Sequence, residues 1–156
     1  MSAGPAFESA GSLKEAAALL AFEPIVPAET AGCTLDAIRV HVRDHKGRDV
    51  PSDDRTLELH YGDFVVSESR KGEAEARHWA IEVSYGQSFR EILVAGRKGR
   101  AFDLGPEVPP DDIDGRSPAV VTWYDGELFF LVASGNMPAE SLQRVAESMY
   151  AHGSLW

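Results

Sequence analysis

The sequence predicts an α+β domain: a meandering antiparallel sheet of about seven strands with N-terminal and C-terminal helices packed on one face. Three observations carry that expectation. Helical stripes of apolar residues occur only near the two ends of the chain. The stretch between them alternates apolar and polar residues with a period of two. The joints between alternating runs are short and rich in Gly, Asp and Pro, and strands joined so tightly must run antiparallel.

The first eleven residues, "MSAGPAFESAG", are small and polar and read as a flexible arm. Ser12 and Glu15 form an S-x-x-E capping box, and Leu13, Ala16, Ala17 and Leu20 continue as one apolar stripe. Pro24 ends that helix near Phe22. A proline-punctuated connector, "PIVPAETAG", leads to the first half-buried strand, where Ile38, Val40 and Val42 alternate with Arg39, His41 and Arg43. Leu57, Leu59 and Tyr61 alternate with Glu58 and His60 in the next, and "YGD" turns the chain into "FVVSES". Trp79, Ile81, Val83 and Tyr85 suggest a further strand. "REILVAGRKGRAFDL" reads as a hairpin turning over Gly96 to Gly99, and a second hairpin turns at Asp125-Gly126 as a type I′ pair. The last helix is expected from about Pro138 to Tyr150, with Leu142, Val145, Ala146 and Met149 as its stripe. The domain thus spans residues 12–150, with an arm at 1–11 and a tail at 151–156.

With 156 residues, one domain is expected, burying roughly 70% of its unfolded surface without covalent staples. A net charge of −10 leaves no basic surplus for a nucleic-acid backbone and disfavours anionic membrane surfaces. Cys33 is the sole cysteine, so neither an internal disulfide nor a Cys-based metal site can form. The longest apolar run, "AAALLAF", is too short to span a membrane, so no span is expected in this chain. "TAGC" superficially resembles a lipoprotein cleavage box, but Glu23 and Glu29 interrupt its lead-in and Thr30 stands where Leu is usual.

Candidate chemistry is sparse. His41 and His60 fall on the polar side of their strands beside Arg39, Arg43 and Glu58, where a cross-strand charge-pairing role is preferred to metal binding. His45, His78 and His152 form no helical H-x-x-x-H pair. "PPDDIDG" offers Asp112 and Asp114 to a calcium loop but puts Pro110 and Val121 where both key carboxylates belong. "GRKGR" lacks the phosphate-loop spacing, and Ser88 lacks the second glycine of a nucleophile elbow. No catalytic residue, metal ligand or cofactor is therefore assigned.

The most unusual feature is the strand Leu128 to Ala133, which is apolar at every position. Leu128, Phe130 and Val132 share one side, Phe129, Leu131 and Ala133 the other, and its neighbour sets Val121 and Trp123 against Val120 and Tyr124. Either this is a central strand buried on both sides or it lines an apolar groove. Trp123, Tyr124, Phe129 and Leu131 are the candidate ligand-binding residues.

The segment "VTWYDGELFFLVASGNMPAESLQRVAESM" resembles the C-terminal signature of a bacterial domain-of-unknown-function family found as the extracytoplasmic part of membrane-anchored anti-sigma-factor-like and sporulation-associated proteins. Trp123, Gly126, Gly135, Leu142, Ala146, Glu147 and Ser148 carry the likeness, joined at the front by Phe22, Pro24, Pro27 and Gly32, with Cys33 where the family usually has an aromatic residue. The resemblance implies a non-enzymatic extracytoplasmic sensory or regulatory module that binds an unknown protein or an apolar ligand, lipid or peptide. It implies an envelope location if an upstream anchor exists and a cytoplasmic one otherwise, and it carries over no catalytic residue. By fold analogy it is similar to envelope lipoprotein carriers, whose curved sheets hold acyl chains or peptides. Two other readings remain: a small hydrolase or metal-dependent enzyme using Ser88 or a histidine cluster, and a structural spacer.

Overall fold

The structure, a computed structural model, describes residues 7–44, 46–70, 89–106, 109, 111 and 117–150. It is an α+β fold built on one eight-stranded sheet. The strands are β1 (Phe7–Ala10), β2 (Leu35–His41), β3 (Thr56–Tyr61), β4 (Val65–Ser69), β5 (Phe89–Val94), β6 (Arg97–Phe102), β7 (Ala119–Asp125) and β8 (Leu128–Ser134), with helices α1 (Leu13–Ala18) and α2 (Ala139–Ser148). The order across the sheet is β1-β2-β3-β4-β8-β7-β6-β5, every neighbour antiparallel. Two meanders, β1–β4 and β5–β8, are thus joined where β4 pairs with β8.

Register sorts the side chains into two faces. One row runs Val40, Leu57, Glu68, Phe130, Trp123, Gly99, Ile92 across the sheet, and the next runs Ile38, Leu59, Val66, Val132, Val121, Ala101. These residues meet Ala16 and Leu20 from the α1 end and Leu142, Val145, Ala146 and Met149 from the α2 end in a single core. Both amphipathic segments therefore bury their stripes against this core face.

Local chemistry explains the joints. Ser12 Oγ accepts the Glu15 amide at 3.2 Å, while the Glu15 carboxylate reaches past Ser12 to the Gly11 amide at 2.7 Å. The expected first helix stops at Ala18, short of Phe22, because tertiary contacts claim the chain: Arg55 binds the Leu19 carbonyl at 2.9 Å. Six residues are too few for a helix to hold itself against such competition. At the other end, Ser134 Oγ accepts the amides of Asn136 and Met137 and donates to the Asp63 carbonyl, fixing the entry to α2.

Three expectations need correction. Phe7–Ala10 are not a loose arm but edge strand β1, held by β2, with Arg39 4.6 Å over the Phe7 ring. The β5–β6 turn lies at Ala95-Gly96, both with positive φ, and not over Gly96 to Gly99. Gly99 is a strand residue opposite Trp123, where an added Cβ would sit 2.4 Å from the Thr122 carbonyl oxygen and 3.1 Å from Trp123 Cβ. In the β7–β8 turn Asp125 pairs with Leu128, so Gly126 (φ +62°) and Glu127 form the loop, and the two positive φ values of a type I′ pair are not present. The strand expected over Trp79 to Tyr85 lies outside the described residues.

Because the Thr122 backbone cannot yield without breaking the β6–β7 ladder, Gly99→Ala is expected to lower unfolding stability by about 1–3 kcal/mol. Urea denaturation of the two proteins checks this.

Candidate functional site

The strand that is apolar on both sides is central, flanked by β4 and β7, and it is packed on both faces. Phe130 and Val132 enter the main core, whereas Leu131 joins Phe102 and Val120 in a second, smaller cluster on the opposite face. The four candidate ligand residues consequently separate. Trp123 lies in the main core, stacked on Phe130 at 5.1 Å, and its indole N–H donates to Tyr150 Oη at 2.8 Å. Tyr124, Phe129 and Leu131 lie together on the other face, open in that neither described helix packs on it, with the Tyr124 and Phe129 rings 5.2 Å apart. Leu131 is buried there, Phe129 is half-buried, and Tyr124 is 40% exposed. Phe89 and Leu93 of β5 also lie on this face, at 43% and 60% exposure, with Glu91 between them and Lys98 and Arg100 of β6 directly opposite Leu93 and Glu91.

The β1–β4 half of the open face is polar. Glu58 sits between two imidazoles, its Oε2 2.7 Å from His41 Nε2 and its Oε1 2.7 Å from His60 Nε2. A carboxylate only accepts, so each ring donates its Nε2–H to Glu58. Arg39 is the direct cross-strand partner of Glu58, and Phe7 covers His41 with ring centroids 6.2 Å apart. Among the described residues no three His, Cys, Asp or Glu side chains are arranged to hold a metal. The register explains why for this trio: His60 pairs at Ala37 and His41 at Thr56, so the imidazoles reach Glu58 from opposite ends of the strand. Burial pushes the Glu58 carboxyl up, but the His60 and His41 hydrogen bonds and charges outweigh it and hold the group below its ordinary value of 4.5.

The group that sequence reasoning missed is Glu68. It occupies the core row between Leu57 and Phe130 and is fully buried. Its Oε1 accepts the Ile25 amide at 2.9 Å, and its Oε2 has no hydrogen-bond partner among the described residues. Burial dominates, so the carboxyl is pushed up to about 8 despite the opposing Ile25 hydrogen bond. The signal was present in the alternation: Val66 and Glu68 share a side, and Val66 is core.

Cys33 is half-buried, its thiol 3.8 Å from Asp63 Oδ2. Ser88, His45, His78, His152, Asp112 and Asp114 lie outside the described residues. No described helix is long and apolar enough to cross a membrane. The chain matches no protein-family model, no curated protein and no solved structure.

The two glutamates should act oppositely on stability. Glu58, with a lowered carboxyl, contributes stability that is present above pH 4.5 and lost as the pH falls through its folded value. Urea midpoints between pH 3 and 6 should fall with acidification in the wild type and less so in Glu58→Gln. Glu68, with a raised carboxyl, stays protonated in the folded state while the unfolded chain ionises, so its contribution is whole below pH 4.5 and lost as the pH rises to about 8. Relative to the wild type, Glu68→Gln should gain about 1.4 kcal/mol per pH unit across that window. Denaturant unfolding at pH 5, 6, 7 and 8 measures the difference.

Proposed function

We propose that the protein is a non-catalytic binding module, extracytoplasmic in placement, that takes an apolar ligand or partner segment on the open face of the β5–β8 half. One observation carries this reading: Tyr124, beside half-buried Phe129, and Leu93 and Phe89 on β5 stand exposed on that face, with Lys98 directly opposite Leu93. Large apolar side chains gathered on an otherwise charged molecule favour contact with another apolar surface. On the other side of the sheet, α1 and α2 pack their apolar stripes into the main core. Lys98 and Arg100 on the same face suit an amphipathic occupant with an anionic end, and Arg100 already lies 4.7 Å over the Phe89 ring.

The resemblance of the terminal segment to extracytoplasmic regulatory modules supports the placement and the regulatory role. The chemistry of the titratable groups supports the absence of catalysis. Glu68 is fully buried, and the Nε2–H groups of His41 and His60 are bonded to one carboxylate. Of the four residues singled out in the sequence, Tyr124, Phe129 and Leu131 would contact the ligand and Trp123 would support the sheet from behind.

The test is a thermal-shift titration with fatty acids, phospholipids and apolar peptides, beside mass spectrometry of an organic-solvent extract. Some ligand should raise the wild-type melting temperature; occupancy at a hundredfold its dissociation constant adds about 2.7 kcal/mol. Phe89→Ser/Leu93→Ser should melt at nearly the wild-type temperature when unliganded, because both side chains are exposed, yet lose the shift. A clean extract with no shift from any class, or a hydrolase activity that His41→Ala abolishes, would overturn the reading.

A further inference from the structure

Residues 19–29, between α1 and the turn before β2, cross the core face as a strap without helix or strand. Leu19, Leu20, Phe22 and Ile25 pack it onto the core. Polar bonds fix it at both ends. Arg55 Nη1 donates to the Leu19 carbonyl at 2.9 Å and Arg70 Nη1 to the Ala21 carbonyl at 3.4 Å. At the far end the Ala28 amide donates to the Ser148 carbonyl at 3.3 Å and the Glu29 amide to Ser148 Oγ at 3.0 Å. Between these anchors, Pro24 and Pro27 have no N–H, so the middle of the strap has few amides with which to hold the sheet. The middle of the strap is bonded to the sheet from Ile25 N–H to Glu68 Oε1 at 2.9 Å.

That bond is made to a side chain that changes charge, whereas the end anchors are guanidinium groups, a hydroxyl and backbone. We propose that Glu68 is a proton-operated latch: its neutral carboxyl keeps the middle of the strap closed on the core, and its ionisation lifts residues 22–27 so that water reaches the carboxylate. An ionised Glu68 would grip the Ile25 amide more strongly, but its second oxygen would hold charge with no donor among apolar neighbours. β4 cannot move to relieve it, being paired on both sides by β3 and β8. The middle of the strap, held to the core by the Phe22 and Ile25 side chains and the Glu68 bond alone, can.

Among the described residues, the charged and titratable groups around the site do not supply a counter-ion. Arg55, ahead of β3, is bonded to the Val50 and Leu19 carbonyls. Arg70, beyond β4, is engaged by Ala21, Asp53 and Glu127 from the β7–β8 turn. Tyr61 of β3 is pushed up by burial and by the Glu68 charge, which opposes ionisation of both groups together. β8 faces Glu68 with Phe130. Glu23 on the strap adds only like charge, and Tyr150 beyond α2 is bonded to Trp123. Burial as the dominant cause agrees with this lack of a partner. The latch stands whether or not the open face binds a ligand.

The test is a pH 6–10 titration of the full chain by amide NMR, with limited proteolysis and near-ultraviolet circular dichroism alongside. The Ile25 amide should titrate with a midpoint near 8. Cleavage within residues 22–27, normalised to an unstructured peptide of the same sequence, should rise roughly tenfold between pH 7 and 9, as the ionised fraction does. The dichroism from packed Trp123 should hold constant. In Glu68→Gln both the titration and the cleavage rise should disappear. A wild-type Ile25 amide that is flat across this range, a cleavage rise that persists in Glu68→Gln, or a parallel loss of Trp123 dichroism would overturn the latch. The wild-type titration decides the matter even if the variant does not fold.

Discussion

The pairing of β4 with β8 is the constraint on which the rest of the molecule depends. It joins residues 65–69 to residues 129–133, and without it the chain is two separate four-stranded meanders. Each meander alone would form from neighbours in sequence, at little loop-closure cost. The β4–β8 ladder is different, because it pairs residues at least 60 positions apart, from Ser69 with Phe129 to Val65 with Ala133, and must close that loop before any burial rewards it. What makes the closure favourable is visible in the register: Val66 meets Val132 on the core side and Ser67 meets Leu131 on the open side. The two helices then complete the same surface, α1 over the first meander and α2 over the second, so one core spans both halves.

This explains why so much of the fold could be read from the sequence and where reading stopped. The alternations Ile38-Val40 and Leu57-Leu59-Tyr61 are written in full because β2 and β3 have one wet face and one dry one. The α2 stripe is equally legible, since Leu142, Val145 and Ala146 are all buried. β1 was not legible. Four residues, two of them polar, carry too little period to distinguish an edge strand from an arm, and its existence depends on β2 presenting a free ladder. Nor was the early end of α1, which is decided by Arg55, distant in sequence. Gly99 looked like turn chemistry because glycine serves two purposes, positive φ and close approach, and only the neighbouring strand reveals which one applies.

The candidate site shows the same division. Period two already separates Trp123 from Tyr124, as adjacent strand residues must point to opposite faces. What the sequence could not supply was which face is closed. The structure assigns Trp123 to the closed side through its stack on Phe130 and its bond to Tyr150. Tyr124, Phe129 and Leu131 are left on the side where exposed Phe89 and Leu93 also lie.

Glu58 and Glu68 are the same residue type on adjacent, paired strands, yet they face opposite environments. Glu58 points to the open face, where two imidazole N–H groups satisfy both of its oxygens, so solvation lost on folding is replaced and the charge is retained. Glu68 points to the core, where one amide satisfies one oxygen and nothing replaces the other. Alternation alone therefore places one carboxylate in each dielectric regime, and the number of donors that meets each determines its charge at neutral pH. A leucine at position 68 would pack beside Leu57 and Phe130 without that burden, but it would leave the Ile25 amide without an acceptor beneath a proline-bracketed strap. The buried acid is thus explained by the strap as much as by the sheet: it supplies an acceptor that no apolar side chain can, on the one row of the core where the chain crosses without secondary structure of its own.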